Sequence, residues 1–289
     1  MPLHTWGLMI TLAFLVSSAI AHGRASRVGL DPDKMTGFYI LAVIGGLLGA
    51  RLLHFLMATP EVFWKDPWVF FRLWEGGFAF YGGFVALIII APLYARWGRL
   101  DFWKLADVCA PLTMLGLGIG RLGCFSAGCC HGRKTELPAD AVGLFPSGFE
   151  AAHGQLYLMF HPPFLIELTH EGVGLNEVPV LCTQLYESLA VFGLFFFTSW
   201  LWRHRRFDGE VFAAVLVLYA IWRPINEALR GDEVRGMGYF GFLTTSQVIS
   251  IPIALLGIAI VLWRFRKGVA PEAPFRHVEP VGGESRPRF

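Results

Sequence analysis

Seven long apolar segments constrain the fold of this chain more than any other feature of its sequence. Each is long enough to cross about 30 Å of hydrocarbon as a helix. The segments lie at roughly 4–21, 36–57, 77–95, 103–122, 183–202, 211–230 and 244–263. With 55% hydrophobic and only 16% charged residues, the chain is too apolar for a soluble domain of its length. We therefore expect an all-α integral membrane protein with seven transmembrane helices.

The first segment also has one feature of a secretory signal, because its apolar run ends in the small-residue pattern Ala-Ile-Ala at 19–21. A signal peptide starts with a positively charged region. No Lys or Arg precedes this apolar run. We therefore expect the segment to be a permanent first span rather than a cleaved leader.

The distribution of Lys and Arg predicts the orientation, because positive residues favour the cytoplasmic side of the membrane. The connections after segments one, three and five and the tail after segment seven carry Arg24, Arg27, Lys34, Arg96, Arg99, Lys104, Arg203, Arg205, Arg206 and six further positive residues. The other connections are poorer in positive charge for their length. The N-terminus is therefore expected outside and the C-terminus inside, which agrees with an odd number of spans.

Three segments outside the spans differ in composition from the rest of the chain. An arm at about 58–76 mixes Trp and Phe with charges, as in a segment that lies in the headgroup layer. The connection at about 133–181 is too long to be only a turn and is expected to form a small periplasmic head. Residues 268–289 are rich in Pro and Gly and are expected to be a disordered cytoplasmic tail. The membrane domain then covers 1–267.

Polar and charged residues inside the spans cluster in the outer leaflet once the orientation is assigned. Such residues cost several kcal/mol near the bilayer centre, so they point to a partner or a function. They are Arg51, Arg121, Gln184, Tyr186, Glu187, Tyr219, Arg223, Glu227 and Arg230. Tyr219, Arg223 and Glu227 are spaced i, i+4, i+8 and share one helical face. Pro224 removes a backbone donor beside Arg223, so we expect the helix to bend there.

The four outer arginines outnumber the two outer carboxylates, Glu187 and Glu227, so the surplus positive charge needs an anion. The nearest one is the phosphate of an outer-leaflet phospholipid, which Arg binds through two parallel hydrogen bonds. Glycines allow helices to approach each other closely and allow irregular backbone beside a cavity. They lie at 82, 83, 120, 123, 128 and 132. The alternative is a structural Arg–Glu pair that locks the helices together. The residues alone indicate a lipid-headgroup site and leave open whether the lipid is bound, moved or cut.

The stretch GRLGCFSAGCCHGR at 120–133 raises the separate question of a metal or redox centre. Zinc sites usually draw their ligands from two short pairs, whereas Cys124, Cys129 and Cys130 are five and one residues apart. The sequence contains no Cys-x-x-Cys redox motif. We predict no metal and no cofactor, and a membrane thiol-redox protein stays as an alternative. Nucleic-acid binding is set aside, because no Lys/Arg cluster is interleaved with stacking aromatics in a polar domain.

Six motifs, in this order and spacing, resemble those of the bacterial phosphatidylglycerol:prolipoprotein diacylglyceryl transferases. They are LHTWGLM, GGFAFYGGF, ADVCAPLTMLGLGIGRLGCFSAGCCHGR, TQLYES, YAIWRPINEALRGD and SQVISIPIALLGI. The similarity runs from about His4 to Lys267 and is closest to a Cys-rich, divergent branch of that family. It implies an enzyme that moves the diacylglyceryl group of phosphatidylglycerol onto the lipobox cysteine of preprolipoprotein signal peptides and releases glycerol phosphate. It also implies a multi-pass protein of the bacterial cytoplasmic (inner) membrane, in contact with membrane lipids.

The resemblance implies roles for particular residues. Arg121 matches the essential arginine of the glycine-rich signature, and Arg223 and Glu227 match the functional Arg and Glu of the sixth span. Further residues expected to contact phosphatidylglycerol are Arg51, Gly82, Gly83, Gly128, Gly132, Gln184, Tyr186, Glu187, Tyr219, Arg230 and Trp6. Well-studied members have His where this chain has Tyr81, Tyr where it has Trp6, Asn where it has Cys124 and Glu where it has Cys129.

The reaction is a substitution in which a thiolate enters and a phosphate leaves, so it needs cationic stabilisation and a proton acceptor. We expect Arg121 and Arg223 to hold the phosphate and Glu227 to orient an arginine. The residue that accepts the proton of the thiol is either Tyr81 or His131, and the sequence does not decide between them. A relay through Cys129 is a weaker alternative. The competing functions are a phospholipid-binding or translocating protein of the outer leaflet and the thiol-redox protein named above.

Overall fold

A computed structural model describes residues 5–57, 59–72, 77–126, 130, 132, 157–161, 165–169, 178–229, 237–239 and 243–267. These residues contain eight α-helices: α1 (Thr5–Ala25), α2 (Pro32–Met57), α3 (Pro60–Lys65), α4 (Phe80–Trp97), α5 (Phe102–Ser126), α6 (Thr183–His204), α7 (Glu210–Ala228) and α8 (Thr245–Arg266). They also contain five short strands: β1 (Tyr157–His161), β2 (Leu165–Thr169), β3 (Val178–Leu181), β4 (Met237–Tyr239) and β5 (Leu243–Thr244).

Six helical segments of the described chain are long and apolar enough to cross a membrane. They are Gly7–Val28, Pro32–Met57, Phe102–Ser126, Thr183–His204, Glu210–Ala228 and Gln247–Arg266. Each falls on one of the seven segments predicted from the sequence, so a multi-pass helical membrane protein is confirmed. The remaining predicted span is α4, whose apolar part, Gly82–Trp97, is shorter than the other six.

The helices divide between two compact units. The first unit comprises Met1–Ser17 and Ala110–Glu272, and the second comprises Ser18–Cys109 and Ala273–Phe289. The division cuts α1 and α5, whereas α6, α7 and α8 fall entirely in the first unit and α2, α3 and α4 entirely in the second. Each unit is described separately below.

In the second unit, α2 and α4 approach each other through glycines. A Cβ added to Gly82 would overlap the backbone carbonyl of Gly49, and one added to Gly83 would lie 2.9 Å from the carbonyl oxygen of Gly46. Backbone atoms cannot give way as a flexible side chain can, so both positions require glycine. The predicted role of Gly82 and Gly83 in close helix approach is confirmed, and their predicted contact with lipid is not tested by this geometry.

In the first unit, α5, α6 and α7 pack around a small apolar core formed by Ala110, Met114, Val191 and Val215. Gly118 lets α6 approach α5, because an added Cβ would lie 2.5 Å from the ring of Phe192. Ser188 of α6 donates a hydrogen bond to the carbonyl oxygen of Gly118 at 3.0 Å. These contacts fix the first turns of α6 against the second half of α5.

The segments predicted to lie outside the spans are described in part. Within the predicted head, β1, β2 and β3 form an antiparallel sheet in which Tyr157 pairs with Thr169 and Leu165 with Leu181. The spanning part is helical as predicted, and these strands are an addition to the all-α expectation. In the predicted arm, Trp64 and Trp68 are largely exposed. The predicted tail, 268–289, lies outside the described residues.

Candidate functional site

The polar face of α7 lies on one uninterrupted helix. This helix begins at Glu210, after Gly209 with a φ of 98°, and ends at Ala228. Pro224 lies inside it. Proline lacks the N–H that would bond four residues back, yet the helix continues for a further turn. Tyr219, Arg223 and Glu227 therefore keep the common face that their spacing predicts.

Glu187, in the second turn of α6, is the centre of the site. Its side chain is 1% exposed. Its Oε1 accepts hydrogen bonds from the Tyr219 hydroxyl at 3.1 Å and from Arg223 Nη1 at 3.5 Å. Its Oε2 accepts from Asn226 Nδ2 at 2.8 Å and lies 2.7 Å from Arg121 Nε. One buried carboxylate thus contacts two arginines, a phenol and an amide from α5 and α7.

Arg223 connects this carboxylate to a second one. Its Nη2 donates to Glu227 Oε2 at 2.9 Å, one helical turn further along α7. The Glu227 side chain is 9% exposed, and those of Arg121 and Arg223 are 14% and 15% exposed. We call Arg121, Glu187, Tyr219, Arg223, Asn226 and Glu227 the Glu187 cluster. All six residues belong to the first unit.

The formal charges of the Glu187 cluster balance, since two arginines face two carboxylates. The sequence counts four arginines against the same two acids, and that surplus stays a prediction. Arg51 belongs to the second unit, and Arg230 lies outside the described residues. The two arginines of the cluster still keep a partly exposed edge. Arg223 uses two of its five N–H groups on the described carboxylates, so donors remain for an anionic ligand.

A hydrogen bond to the segment that follows α5 holds the beginning of α6. Thr183 Oγ1 donates to the carbonyl oxygen of Cys130 at 3.0 Å. Cys130 has a φ of 64°, and Gly132 and Gln184 are buried.

Cys182, which precedes α6, is also buried, and burial raises the pKa of its thiol to about 12. Cys182 is therefore a neutral thiol at physiological pH and a poor nucleophile.

Arg51 of α2 is enclosed by backbone carbonyls in the second unit. Its Nη2 donates to the carbonyl oxygens of Val69 at 2.8 Å and Arg72 at 2.9 Å, and its Nη1 donates to that of Gly77 at 3.3 Å. The guanidinium also lies over the ring of Phe55, at 4.6 Å from the centroid. The residue is only 2% exposed. We call this arrangement the Arg51 cradle, and a contact between Arg51 and lipid stays a prediction.

Several predicted site residues are described incompletely. Trp6 and Tyr81 are described by their helical backbone alone. Tyr186 is half-buried in the first turn of α6. The residues that lie outside the described part of the chain are Gly128, Cys129, His131 and Arg230. Among the described residues, no group of three His, Cys, Asp or Glu side chains is placed to hold a metal ion.

Sequence reasoning missed Asn226, which is fully buried and donates to the central carboxylate. The spacing along α7 could have identified Asn226, because it lies three residues after Arg223 and seven after Tyr219, on the same helical face. Thr183 and Ser188 were also missed. Both are hydroxyl residues in the first two turns of α6, where their bonds to α5 and the following segment position Glu187 between them.

Comparison with known proteins identifies the family. The family model for prolipoprotein diacylglyceryl transferase matches residues 1–263. The chain belongs to the prolipoprotein diacylglyceryl transferase family. The match includes every residue of the Glu187 cluster and of the Arg51 cradle.

Individual relatives extend this result over nearly the whole chain. The protein is 33% identical over 269 residues to one from Chromohalobacter salexigens, covering 92% of this chain and 90% of the relative. It is 31% identical to one from Clostridium tetani (92% and 96%) and 32% identical to one from Proteus mirabilis (95% and 92%). All three are named phosphatidylglycerol–prolipoprotein diacylglyceryl transferase. The resemblance to this transferase family drawn from six motifs is confirmed.

Proposed function

We propose that this protein transfers the diacylglyceryl group of phosphatidylglycerol to the thiol of the lipobox cysteine in preprolipoproteins. The products are a thioether-linked lipid and glycerol phosphate. The observation that carries the proposal is the Glu187 cluster, in which two partly exposed arginines are fixed by a buried carboxylate in a member of this family. The relatives' names support the two substrates, and they favour a transferase over a lipid translocator or a thiol-redox protein.

The two arginines serve as the phosphate clamp. As the bond between the glyceryl carbon and the phosphate oxygen breaks, negative charge collects on the leaving phosphate. Fixed cationic donors stabilise that charge more than they stabilise the substrate, which lowers the barrier. Glu187 holds Arg121 and Arg223 in position before the lipid arrives, so the clamp needs little rearrangement during the reaction.

The remaining candidates are assigned to the lipid and the thiol. Tyr81 and His131 are proposed to lie near the reacting thiol. The residues proposed to contact phosphatidylglycerol are Trp6, Arg51, Gly82, Gly83, Gly128, Gly132, Gln184, Tyr186, Glu187, Tyr219 and Arg230. For those in the second unit or outside the described residues, the family resemblance is the only support.

We further propose seven spans, with α4 as the third, the N-terminus outside and the C-terminus inside. The 18 residues of α4 rise about 27 Å at 1.5 Å per residue, close to the hydrocarbon thickness of about 30 Å. The distribution of Lys and Arg supports this orientation. The Glu187 cluster then lies in the outer leaflet of the bacterial inner membrane, with the arm at 58–76 in the headgroup layer and the tail inside.

Mass spectrometry of the acceptor peptide tests the proposed function. The purified protein is incubated with phosphatidylglycerol vesicles and a lipobox peptide, and the expected product carries a diacylglyceryl group on sulfur. A peptide with Ser in place of the lipobox Cys should gain no lipid. Arg121→Ala should lose most of the activity, whereas Arg206→Ala should keep it, because Arg206 is 71% exposed beside Glu210. Absence of the adduct under conditions where an established transferase forms it would refute the proposal.

A further inference from the structure

The two carboxylates of the Glu187 cluster differ in how many donors they accept. Glu187 is almost fully buried, and its two oxygens are occupied by four groups: the side chains of Tyr219, Arg223, Asn226 and Arg121. Glu227 is more exposed and uses one oxygen, Oε2, for its bond to Arg223. Within the described part of the chain, Oε1 of Glu227 has no partner. Of the two carboxylates, Glu227 is therefore the one with a free oxygen among the described residues.

This difference separates a positioning group from a reacting group. Both oxygens of Glu187 are already bonded, so a proton could reach this carboxylate only with the loss of at least one of its partners. Glu227 can accept a proton on Oε1 while Oε2 stays bonded to Arg223.

We propose that Glu227 accepts the proton of the lipobox thiol and then delivers it to the departing phosphate. This inference rests on the proposed transferase function and names the proton acceptor for it. The S–H proton moves to Glu227 Oε1, and the sulfur electron pair forms the bond to the glyceryl carbon. The C–O bond to phosphate breaks, and its electron pair leaves with the phosphate oxygen. The proton passes from Glu227 to that phosphate, so the enzyme returns to its starting charge.

The surrounding charges suit this transfer. The charged and titratable groups that share the Glu187 cluster with Glu227 are Arg121 on α5, Glu187 on α6, and Tyr219 and Arg223 on α7. The two arginines favour the thiolate in the same way that they favour the leaving phosphate. Both oxygens of Glu187 already have partners, and the Tyr219 hydroxyl already donates its hydrogen bond to Glu187. Among the described groups, Glu227 is left as the acceptor.

A change of nucleophile tests the assignment. A selenol is a stronger acid than a thiol and is ionised at neutral pH, so it needs no proton acceptor. Two lipobox peptides, one with Cys and one with selenocysteine, are compared under reducing conditions. Glu227→Gln should lower kcat with the Cys peptide by about 10²-fold or more, and its rate with the selenocysteine peptide should stay within about tenfold of wild type.

Matched variants separate proton transfer from positioning. Glu187→Gln should slow both peptides to a similar degree, because it disturbs the arginines that both reactions need. Tyr81→Phe and His131→Ala should show no selective rescue by selenocysteine. Selective rescue of either variant, with none for Glu227→Gln, would overturn the proposal. The proposal also fails if Glu227→Gln keeps more than half of wild-type activity with Cys, or loses activity equally with both peptides.

A measurement on the unaltered protein covers the case in which Glu227→Gln does not fold. In heavy water the reaction with the Cys peptide should slow, because an S–H bond breaks during it, while the reaction with the ionised selenocysteine peptide should change little. Equal solvent isotope effects for both peptides would contradict a proton transfer from the thiol. Failure of the wild-type protein to modify either peptide would count against the proposed function itself.

Discussion

Two arginines of this protein, the buried Arg51 and the partly exposed Arg223, differ in the groups that hold them. Arg51 donates to three backbone carbonyls and lies over an aromatic ring. Arg223 donates to two carboxylates and keeps a partly exposed edge. Carbonyl partners belong to the chain and fix its path, whereas carboxylate partners set the position of a charge that can also meet a ligand. The Arg51 cradle therefore fixes the path of the chain, whereas the Glu187 cluster holds positive charge at a partly exposed edge.

The largest effect is expected from Glu187→Gln, which removes the buried counter-charge shared by the two partly exposed arginines, Arg121 and Arg223. Removing one partner of a buried ion pair costs about 3–5 kcal/mol, so we expect a loss of stability of that order as well as of activity. Thermal unfolding in detergent measures it. Glu61→Gln is the matched control, because Glu61 is exposed on α3. Equal stability of the two variants would remove Glu187 from the centre of the site.

The next effect is expected from Arg223→Ala, which removes one arm of the phosphate clamp. Loss of one donor to a developing oxyanion costs about 10²–10³-fold in rate. The rate of adduct formation on the lipobox peptide measures the loss, with Arg206→Ala as the exposed control. If Arg223→Ala reacts at the wild-type rate while phosphatidylglycerol is saturating, Arg223 does not stabilise the transition state.

Arg51→Met tests the other half of the comparison. It leaves three carbonyl acceptors without their donor, and each unsatisfied buried acceptor costs about 1–3 kcal/mol. We expect the arm to become more sensitive to limited proteolysis, and the KM for phosphatidylglycerol tests the proposed lipid contact separately. A KM increase above about tenfold in a variant of normal stability would instead support the contact with lipid that the sequence predicted.

Gly82→Ala should cost less, because it overpacks one helix contact. The added methyl group would overlap the carbonyl of Gly49, and overpacking typically costs about 1–3 kcal/mol. Gly46→Ala on α2 is the matched control, since a Cβ there meets nothing within 4 Å. Thermal unfolding should separate the two variants. Equal melting temperatures would show that α2 and α4 can separate without cost.

The smallest effect is expected from Tyr219→Phe. It removes one of the four donors to Glu187 and keeps the ring that packs on the apolar core. A single hydrogen bond contributes about 0.5–1.5 kcal/mol net, so we expect a change of a few-fold in kcat. A loss as large as that of Arg223→Ala would give the hydroxyl a direct part in the chemistry.

The sequence predicted the spans well because hydrocarbon imposes a simple requirement of length and apolarity. Its window at 183–202 corresponds to Thr183–His204, and that at 211–230 corresponds to Glu210–Ala228. The sequence was less informative about the polar segments outside the spans, and the strands β1, β2 and β3 were not predicted. A short strand has a weak pattern of its own and depends on the strands that pair with it.

The sequence predicted only the part of the site that depends on spacing within one helix. Tyr219, Arg223 and Glu227 share a face by helical spacing alone, so their proximity followed from their numbers. The position of Glu187 between α5 and α7 depends on how three helices pack, and spacing along one helix does not contain that information. The surplus of arginines over acids stays a prediction, because Arg51 belongs to the second unit and Arg230 lies outside the described residues.

The sequence by itself determined the membrane character of this protein, the family to which it belongs and the polar face of α7. The membrane character and the polar face follow from local composition and from periodicity within single helices, and the family follows from the order and spacing of six motifs. Only the tertiary structure decided that Glu187 is the shared counter-charge of Arg121 and Arg223, and that Arg51 is enclosed by carbonyls. Both depend on contacts between residues far apart in the chain, where packing, rather than charge alone, selects the partner of each buried arginine.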